Sequence, residues 1–289
     1  MVIVPERLAA TCQEAPERRV WLEQLPDAVR DLQGRWSLSL GAPFDGRDVS
    51  CAWVVPVVRA DGTHAVLKIG MPHAEGAHEI QGLRFWDGAP TVRLLAADPD
   101  LNAMLLEQCE PGTALRELPA REQDVIVAGL LRRLWRRPAA PHPFRPLSEM
   151  IAGWADETIA AAHKWPDSGL VQEGLRLFEE LSRPSVDDVL LATDQHAGNV
   201  LQAEREPWLL IDPKPYVGDR AYDATQHLLN CMGRMLTAPV ATIQGLADLL
   251  ELDEERVRLW MFARAAAGPR DTWNKGSDSL ARSLARSLA

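Results

Sequence analysis

Two short apolar runs, each ending in a carboxylate, constrain this chain more than any other feature of it. They are Leu190-Leu-Ala-Thr-Asp-Gln-His-Ala-Gly-Asn-Val-Leu201 and Leu209-Leu-Ile-Asp-Pro-Lys-Pro-Tyr-Val-Gly-Asp219. Asp194 ends the first run and is followed five residues later by Asn199; Asp212 ends the second. A carboxylate, a neutral carbonyl side chain and a second carboxylate form the polar set of a phosphoryl-transfer site. That set comprises one base and two magnesium ligands.

Each residue type suits its part. A hydroxyl attacking phosphorus must be held in line and must shed a proton, and a carboxylate such as Asp194 can do both. Asn199 offers a neutral oxygen to a metal, and Asp212 a charged one. Mg²⁺ takes one or two such protein ligands and completes its shell with phosphates and water. His196 lies between these groups, and Gly198 lets the loop turn tightly. Asp and Asn are frequent in plain surface turns, so the spacing alone is weak. The apolar flanks on both segments strengthen it.

Nucleotide phosphates also need a cation. Lys68 is the only charge in the apolar strand Ala65-Val-Leu-Lys-Ile69, and strand alternation puts it on the same side as Val66. A helix about ten residues later can supply the carboxylate that holds such a lysine. Glu75 and Glu79 are the candidates, and Glu79 is preferred because Ile80, Leu83, Phe85 and Trp86 follow it. The segment Gly41-Ala-Pro-Phe-Asp-Gly-Arg-Asp-Val-Ser50 lies between two strands, where a phosphate-covering loop belongs. It has only two glycines. Ser50 and the Gly46 backbone are its possible phosphate donors, and a plain hairpin loop is the equal alternative.

The rest of the pattern divides the chain. Trp21, Leu22, Leu25, Val29 and Leu32 share one helical face within residues 1–35. Strands are expected at Trp36–Leu40, Ala52–Val58, His64–Ile69, Val92–Leu95 and Ala103–Glu107, with a hairpin at Asp61-Gly62. Ala74–Trp86 reads as a helix. The second half reads as helices over Arg121–Trp135, Leu147–His163, Leu170–Leu181, Ala221–Met235, Val240–Leu250 and Glu254–Ala267. The two carboxylate-ended runs form a short β island among them, and the final Ser-Leu-Ala-Arg unit repeats from Ser279. Strands first and helices second is an α+β chain with a strand-rich N-lobe, residues 1–108, and a mostly helical C-lobe, residues 109–289. The break falls near the Pro-Gly pair in Gln108-Cys-Glu-Pro-Gly112.

Bulk properties narrow the partners. A net charge of −10 over 289 residues argues against a nucleic-acid binder and suits a small cationic substrate. No apolar run is long enough for a bilayer, and no signal peptide is visible, so a cytoplasmic monomer that does not bind membranes is expected. Cys12, Cys51, Cys109 and Cys231 are scattered, never spaced C-x-x-C, and read as free thiols.

Asp194-Gln-His-Ala-Gly-Asn199, Ile211-Asp-Pro-Lys-Pro-Tyr-Val-Gly-Asp219 and Ala221-Tyr-Asp223 together resemble the aminoglycoside phosphotransferases, in particular their streptomycin 6-kinase and hydroxyurea phosphotransferase branch. Pro72–Asp87 and Met104-Leu-Leu-Glu-Gln108 resemble that branch as well. The resemblance implies a protein-kinase-like fold with ATP between two lobes. It implies Asp194 as catalytic base, Asn199 and Asp212 as Mg²⁺ ligands, and Lys68 on the phosphates with Glu79 as partner. It further implies that Glu107 and Cys109 flank a hinge that meets adenine, with Met104 behind it. The family's loop has Leu after the catalytic Asp; here Gln195 stands at that normally buried position. The short path from Asp212 to Asp223 leaves no room for a regulated activation segment, which fits a small-molecule kinase. Asp223 reads either as a structural brace for the catalytic loop or as a substrate contact; the same two readings apply to Asp219. For the acceptor, Trp154, Asp156, Glu157 and Trp273 are the candidates, since carboxylates and aromatic rings suit a guanidinium-bearing sugar. The expected activity is ATP- and Mg²⁺-dependent phosphorylation of an aminoglycoside hydroxyl, streptomycin first. The alternatives are the same chemistry on hydroxyurea or a sugar, or a nucleotide-binding pseudokinase.

Overall fold

The computed structural model describes residues 2–46, 51–73, 76–269 and 275–288. The chain folds into two compact units. The first comprises Met1–Thr113 with Leu201–Ile211, and the second Ala114–Val200 with Asp212–Ala289.

The first unit is built on one antiparallel sheet. Strands β1 (Leu38–Leu40), β2 (Ala52–Arg59), β3 (His64–Gly70), β4 (Leu94–Asp98) and β5 (Ala103–Glu107) lie in the order β1-β2-β3-β5-β4. The β2–β3 hairpin turns where expected. Gly62 sits at φ 82°, and Asp61 Oδ1 accepts from the Thr63 amide at 3.0 Å. Directly opposite residues share a face, so the register Lys68↔Met104 and Val66↔Leu106 sorts the side chains. Ala65, Leu67, Ile69, Ala103 and Leu105 form one face. They pack with Leu8 of α1 (Glu6–Cys12) and with Leu25, Val29 and Leu32 of α2 (Pro16–Arg35). Val66, Met104 and Leu106, on the face that carries Lys68, pack with Ile80 and Leu83 of α3 (Glu79–Trp86).

Two expectations shift here. The helix begins at Glu79 rather than Ala74, because His78 adopts a left-handed conformation, φ 70°, which an α-helix cannot run through. The strand expected at Val92–Leu95 begins at Leu94. The preceding residues pair elsewhere: Val92 donates to Leu210 O, and Leu210 donates back to Pro90 O, both at 3.0 Å. Leu210 belongs to β8 (Trp208–Leu210), which pairs with β7 (Val200–Gln202).

The second unit is helical around α10 (Glu254–Ala267), which is buried on nearly every side through Val257, Trp260, Met261, Phe262 and a run of alanines. It packs against α5 (Leu147–Ala160), α6 (Ser168–Leu181), α7 (Arg220–Leu229), α9 (Pro239–Leu250) and α11 (Lys275–Leu288). The terminal Ser-Leu-Ala-Arg repeat has a near-helical period. It forms α11, with Leu280, Ala281 and Leu284 buried. Helix α4 (Ala120–Leu134) matches its periodicity. The expected helix over 221–235 breaks after Leu229 and resumes as α8 (Met232–Thr237). At that corner Arg234 donates to both Asp124 oxygens at 2.6 and 2.7 Å and to Cys231 Sγ at 3.0 Å, and His227 Nε2 donates to Asp124 at 2.8 Å. Asp124, His227 and Cys231 have the spacing of a metal site. The Arg234 guanidinium already supplies the positive charge there, and the cluster is an ion-pair pin between α4 and the α7–α8 corner.

The β island resolves into two ladders. The strand before Asp194, β6 (Val189–Leu191), pairs antiparallel with β9 (Tyr216–Gly218), which follows Asp212. The strand before Asp212, β8, pairs with β7 instead. The two carboxylate-ended runs therefore do not pair with each other. Among the described residues no helix is long and apolar enough to cross a membrane.

Candidate active site

The loop that carries Asp194 is held in a costly shape. Thr193 has φ 47°, a conformation that a β-branched residue rarely adopts. Three contacts hold it there. The Thr193 amide donates to Asp223 Oδ1 at 2.8 Å, the Ala192 amide to Asp223 Oδ2 at 3.1 Å, and Thr193 Oγ1 to Lys214 O at 2.6 Å. Asp223 is fully buried on α7, and its Oδ2 also accepts from Trp135 Nε1 at 3.0 Å. It is thus a brace under the loop. Burial pushes its carboxyl up to about 6, against the pull of its Trp135, Ala192 and Thr193 donors. Asp219 is likewise occupied. It caps α7 through the Ala221 amide and accepts from Arg256 and Trp260 Nε1.

Asp194 follows this strained residue. Its Oδ1 accepts from Gln226 Nε2 at 2.7 Å. Asn199 Nδ2 donates to the Asp194 carbonyl at 3.0 Å and lies 3.4 Å from Oδ2. With its amide nitrogen tied to the loop backbone, Asn199 keeps its carbonyl oxygen as the atom that could meet a metal. Burial raises the Asp194 carboxyl above the ordinary aspartate value; Lys214 and His196 oppose that, Asp212 adds to it, and the Gln226 bond lowers it. His196 Nδ1 accepts from the Gly198 amide at 3.0 Å, so a neutral imidazole carries its proton on Nε2, 4.0 Å from Asp194 Oδ1. Gly198 is not left-handed. It serves instead by making room, because a Cβ there would meet the His196 ring at 2.7 Å.

Asp212 sits at φ 54°, and Lys214 Nζ donates to its Oδ1. Lys214 is nearly buried and so is a built-in cation beside two carboxylates. Asp212 and Asn199 are oxygen donors of the kind a hard cation takes.

Gln195 is completely buried, and among the described residues neither its Nε2 nor its Oε1 finds a hydrogen-bond partner. Gln195→Leu is expected to stabilise the fold by about 1–3 kcal/mol, since it removes two desolvated polar atoms at similar volume. Urea denaturation measures this, and an unchanged or lower midpoint refutes it.

In the first unit, Lys68 Nζ donates to both Glu79 oxygens, at 2.6 and 2.7 Å, with both side chains buried. Met104 lies opposite Lys68 on β5. The Glu107 carboxylate is taken up by Arg205, at 2.8 Å to each oxygen, and by the Arg93 amide. Burial opposes its charge, but those donors hold the carboxyl below the usual range. Cys109 is half-buried, and desolvation pushes its thiol up to about 12. Gly46 is exposed. Ser50, Glu75 and Trp273 lie outside the described residues.

Three of the acceptor candidates, Trp154, Asp156 and Glu157, lie on α5. Asp156 and Glu157 are exposed on α5. The Trp154 ring packs 6.3 Å from both Phe178 and Tyr222, with the Arg264 guanidinium 5.3 Å over it. Gln226, Arg264 and Lys214 escaped the sequence reading. Gln226 had a visible signal, three residues after Asp223 on the same helix face. Arg264 had none, because its place depends on how α10 packs against α7.

The family model of the aminoglycoside/hydroxyurea antibiotic resistance kinases matches residues 35–275. A hydroxyurea phosphotransferase from Kitasatospora aureofaciens is 39% identical, over 85% of this chain and 72% of that protein. A streptomycin 6-kinase from Streptomyces glaucescens is 36% identical, over 91% of this chain and 89% of that protein. One from Streptomyces griseus is also 36% identical, over 90% and 88%. Among solved structures, choline kinase LicA from Streptococcus pneumoniae superposes with a TM-score of 0.60 at 11% identity, covering 92% of this chain and 99% of that one. A macrolide 2'-phosphotransferase type I gives 0.54 at 15% identity, covering 91% and 97%. These two likenesses speak for the fold alone. The carboxylate-bearing loops, the sheet that carries Lys68 and a family match over most of the length lead to one conclusion: the chain belongs to the aminoglycoside/hydroxyurea antibiotic resistance kinase family and is a phosphotransferase with a kinase-like α+β fold.

Proposed function

We propose that this phosphotransferase moves the γ-phosphoryl group of ATP to a hydroxyl of streptomycin. The observation that carries the reading is the Asp194 loop, where one strained and braced turn presents a partly buried carboxylate with Asn199 beside it. Membership of a kinase family entails ATP use. Two streptomycin 6-kinases, alike over about nine-tenths of the chain, support the acceptor.

In this reading Asp194 orients the acceptor hydroxyl and takes its proton as the oxygen bonds to phosphorus. Its raised basicity, caused first by burial, suits that task. Asn199 and Asp212 would hold Mg²⁺, which supplies charge neutralisation to the phosphates. Lys68, fixed by Glu79, binds phosphate oxygens. Lys214 keeps Asp212 oriented and adds positive charge beside both carboxylates. Met104 and the backbone at Glu107 and Cys109 contribute to adenine binding.

One observation favours a second acceptor. The group that backs Gln226 beside Asp194 is a cation, Arg264, which suits a neutral acceptor better than a guanidinium-bearing one. Together with the 39% identical hydroxyurea phosphotransferase, this makes hydroxyurea the competing acceptor. A coupled ADP-release assay with streptomycin, hydroxyurea and simple sugars separates the readings. The proposal expects the highest kcat/KM with streptomycin. Turnover with hydroxyurea alone replaces it, and absence of Mg²⁺-dependent turnover with every acceptor would leave a nucleotide-binding pseudokinase.

A further inference from the structure

We propose that Gln226 is a positioning residue for the transfer reaction: its side-chain amide, locked from behind by Arg264, sets the rotation of the Asp194 carboxylate. This rests on the reading of Asp194 as the base.

The observation is a chain of short bonds that crosses three elements. Gln226 Nε2 donates to Asp194 Oδ1 at 2.7 Å, and Arg264 Nη2 donates to Gln226 Oε1 at 2.7 Å. The amide has only one orientation that serves both neighbours. An ionised carboxylate only accepts and a guanidinium only donates, so the nitrogen must face Asp194 and the oxygen must face Arg264. Arg264 is itself fixed. Its Nη1 donates to Thr225 Oγ1 at 2.7 Å, and its guanidinium lies 4.9 Å over the Tyr222 ring. Thr225 is buried, and its hydroxyl donates to Tyr222 O. The amide therefore has little freedom to turn.

Asp194 needs such a hold. Asn199 Nδ2 is 3.4 Å from Oδ2, too long for a strong bond, and His196 Nε2 is 4.0 Å from Oδ1. Among the described residues the Gln226 bond is the shortest of these contacts to the carboxylate. It occupies Oδ1 and leaves Oδ2 as the oxygen to meet an acceptor hydroxyl. The choice of an amide also has a chemical reason. A guanidinium bonded directly to Asp194 would stabilise the carboxylate strongly and reduce its basicity. Passing the restraint through a neutral donor fixes the geometry at a smaller loss of basicity.

The test compares Gln226→Leu, Gln226→Glu and Asp194→Ala as purified full-length proteins, with streptomycin and hydroxyurea as acceptors. Gln226→Leu is expected to lower kcat roughly 10- to 100-fold, the range for a misplaced catalytic group, with KM for ATP little changed. The loss should fall on kcat and leave KM for the acceptor close to wild type, which general loosening of the fold would not do. Gln226→Glu keeps the shape and the Arg264 contact, which guards against misfolding of the leucine variant. It places a second carboxylate against Asp194 in place of the amide donor and should lower kcat at least as far. An unchanged kcat in both variants, with Asp194→Ala inactive, overturns the proposal. Activity retained in Asp194→Ala overturns the assignment of the base itself, a different result.

Discussion

Asp194→Ala is expected to lower kcat by roughly 10²–10⁴-fold, the usual worth of a positioned general base, while nucleotide affinity stays close to wild type. Lys68 and Glu79, the proposed phosphate-binding pair, belong to the sheet of the first unit and keep their 2.6 and 2.7 Å bonds whatever stands at 194. Steady-state ADP release measures the first quantity, and calorimetric titration with ATP the second. In the wild type, activity should fall on acidification at a higher pH than an ordinary aspartate would give. Burial, the largest influence, raises the Asp194 carboxyl, and protonation removes its capacity as a base. A purified variant that transfers phosphate at the wild-type rate ends the assignment.

The second large effect is structural. Asp223→Ala is expected to cost on the order of 3–5 kcal/mol of stability, because three donors lose a buried acceptor at once. These are the amides of Ala192 and Thr193 and the Trp135 indole N–H. The same change frees Thr193 from its φ of 47°, so the loop should relax and activity should fall even where the variant remains folded. Asp223→Asn keeps one accepting oxygen and should be intermediate in both respects. Urea denaturation together with activity at low denaturant checks this; an alanine variant with the wild-type midpoint and rate refutes the brace.

The elements of the fold were legible where a local period decides them. Helices α4, α9 and α10 and the hairpin at Asp61-Gly62 follow from spacing and turn chemistry. The misplacements share a cause. The strand expected at Val92 starts later because residues 90–92 pair with β8, a partner more than a hundred positions away. The helix expected at Ala74 starts at Glu79 because His78 turns left-handed, a backbone state that an apolar pattern does not encode. Gly198 was expected for tight turning, whereas it makes room for an imidazole.

The site divides along the same line. The sequence by itself determined which groups suit the proposed roles: Asp194, Asn199 and Asp212 on apolar runs, and Lys68 on a buried strand with a carboxylate on the next helix. Those are statements about residue type and spacing, and both are local. Only the tertiary structure decided what holds those groups. Asp223 under the loop, Lys214 on Asp212, and the line from Arg264 through Gln226 to Asp194 depend on distances between elements far apart in the chain. A hydrogen bond forms within about 3 Å or not at all, and which side chains come that close is set by how helices pack. The two carboxylate-ended runs pointed to the reaction, while the packing of α7 and α10 behind them settled how firmly its proposed base is held.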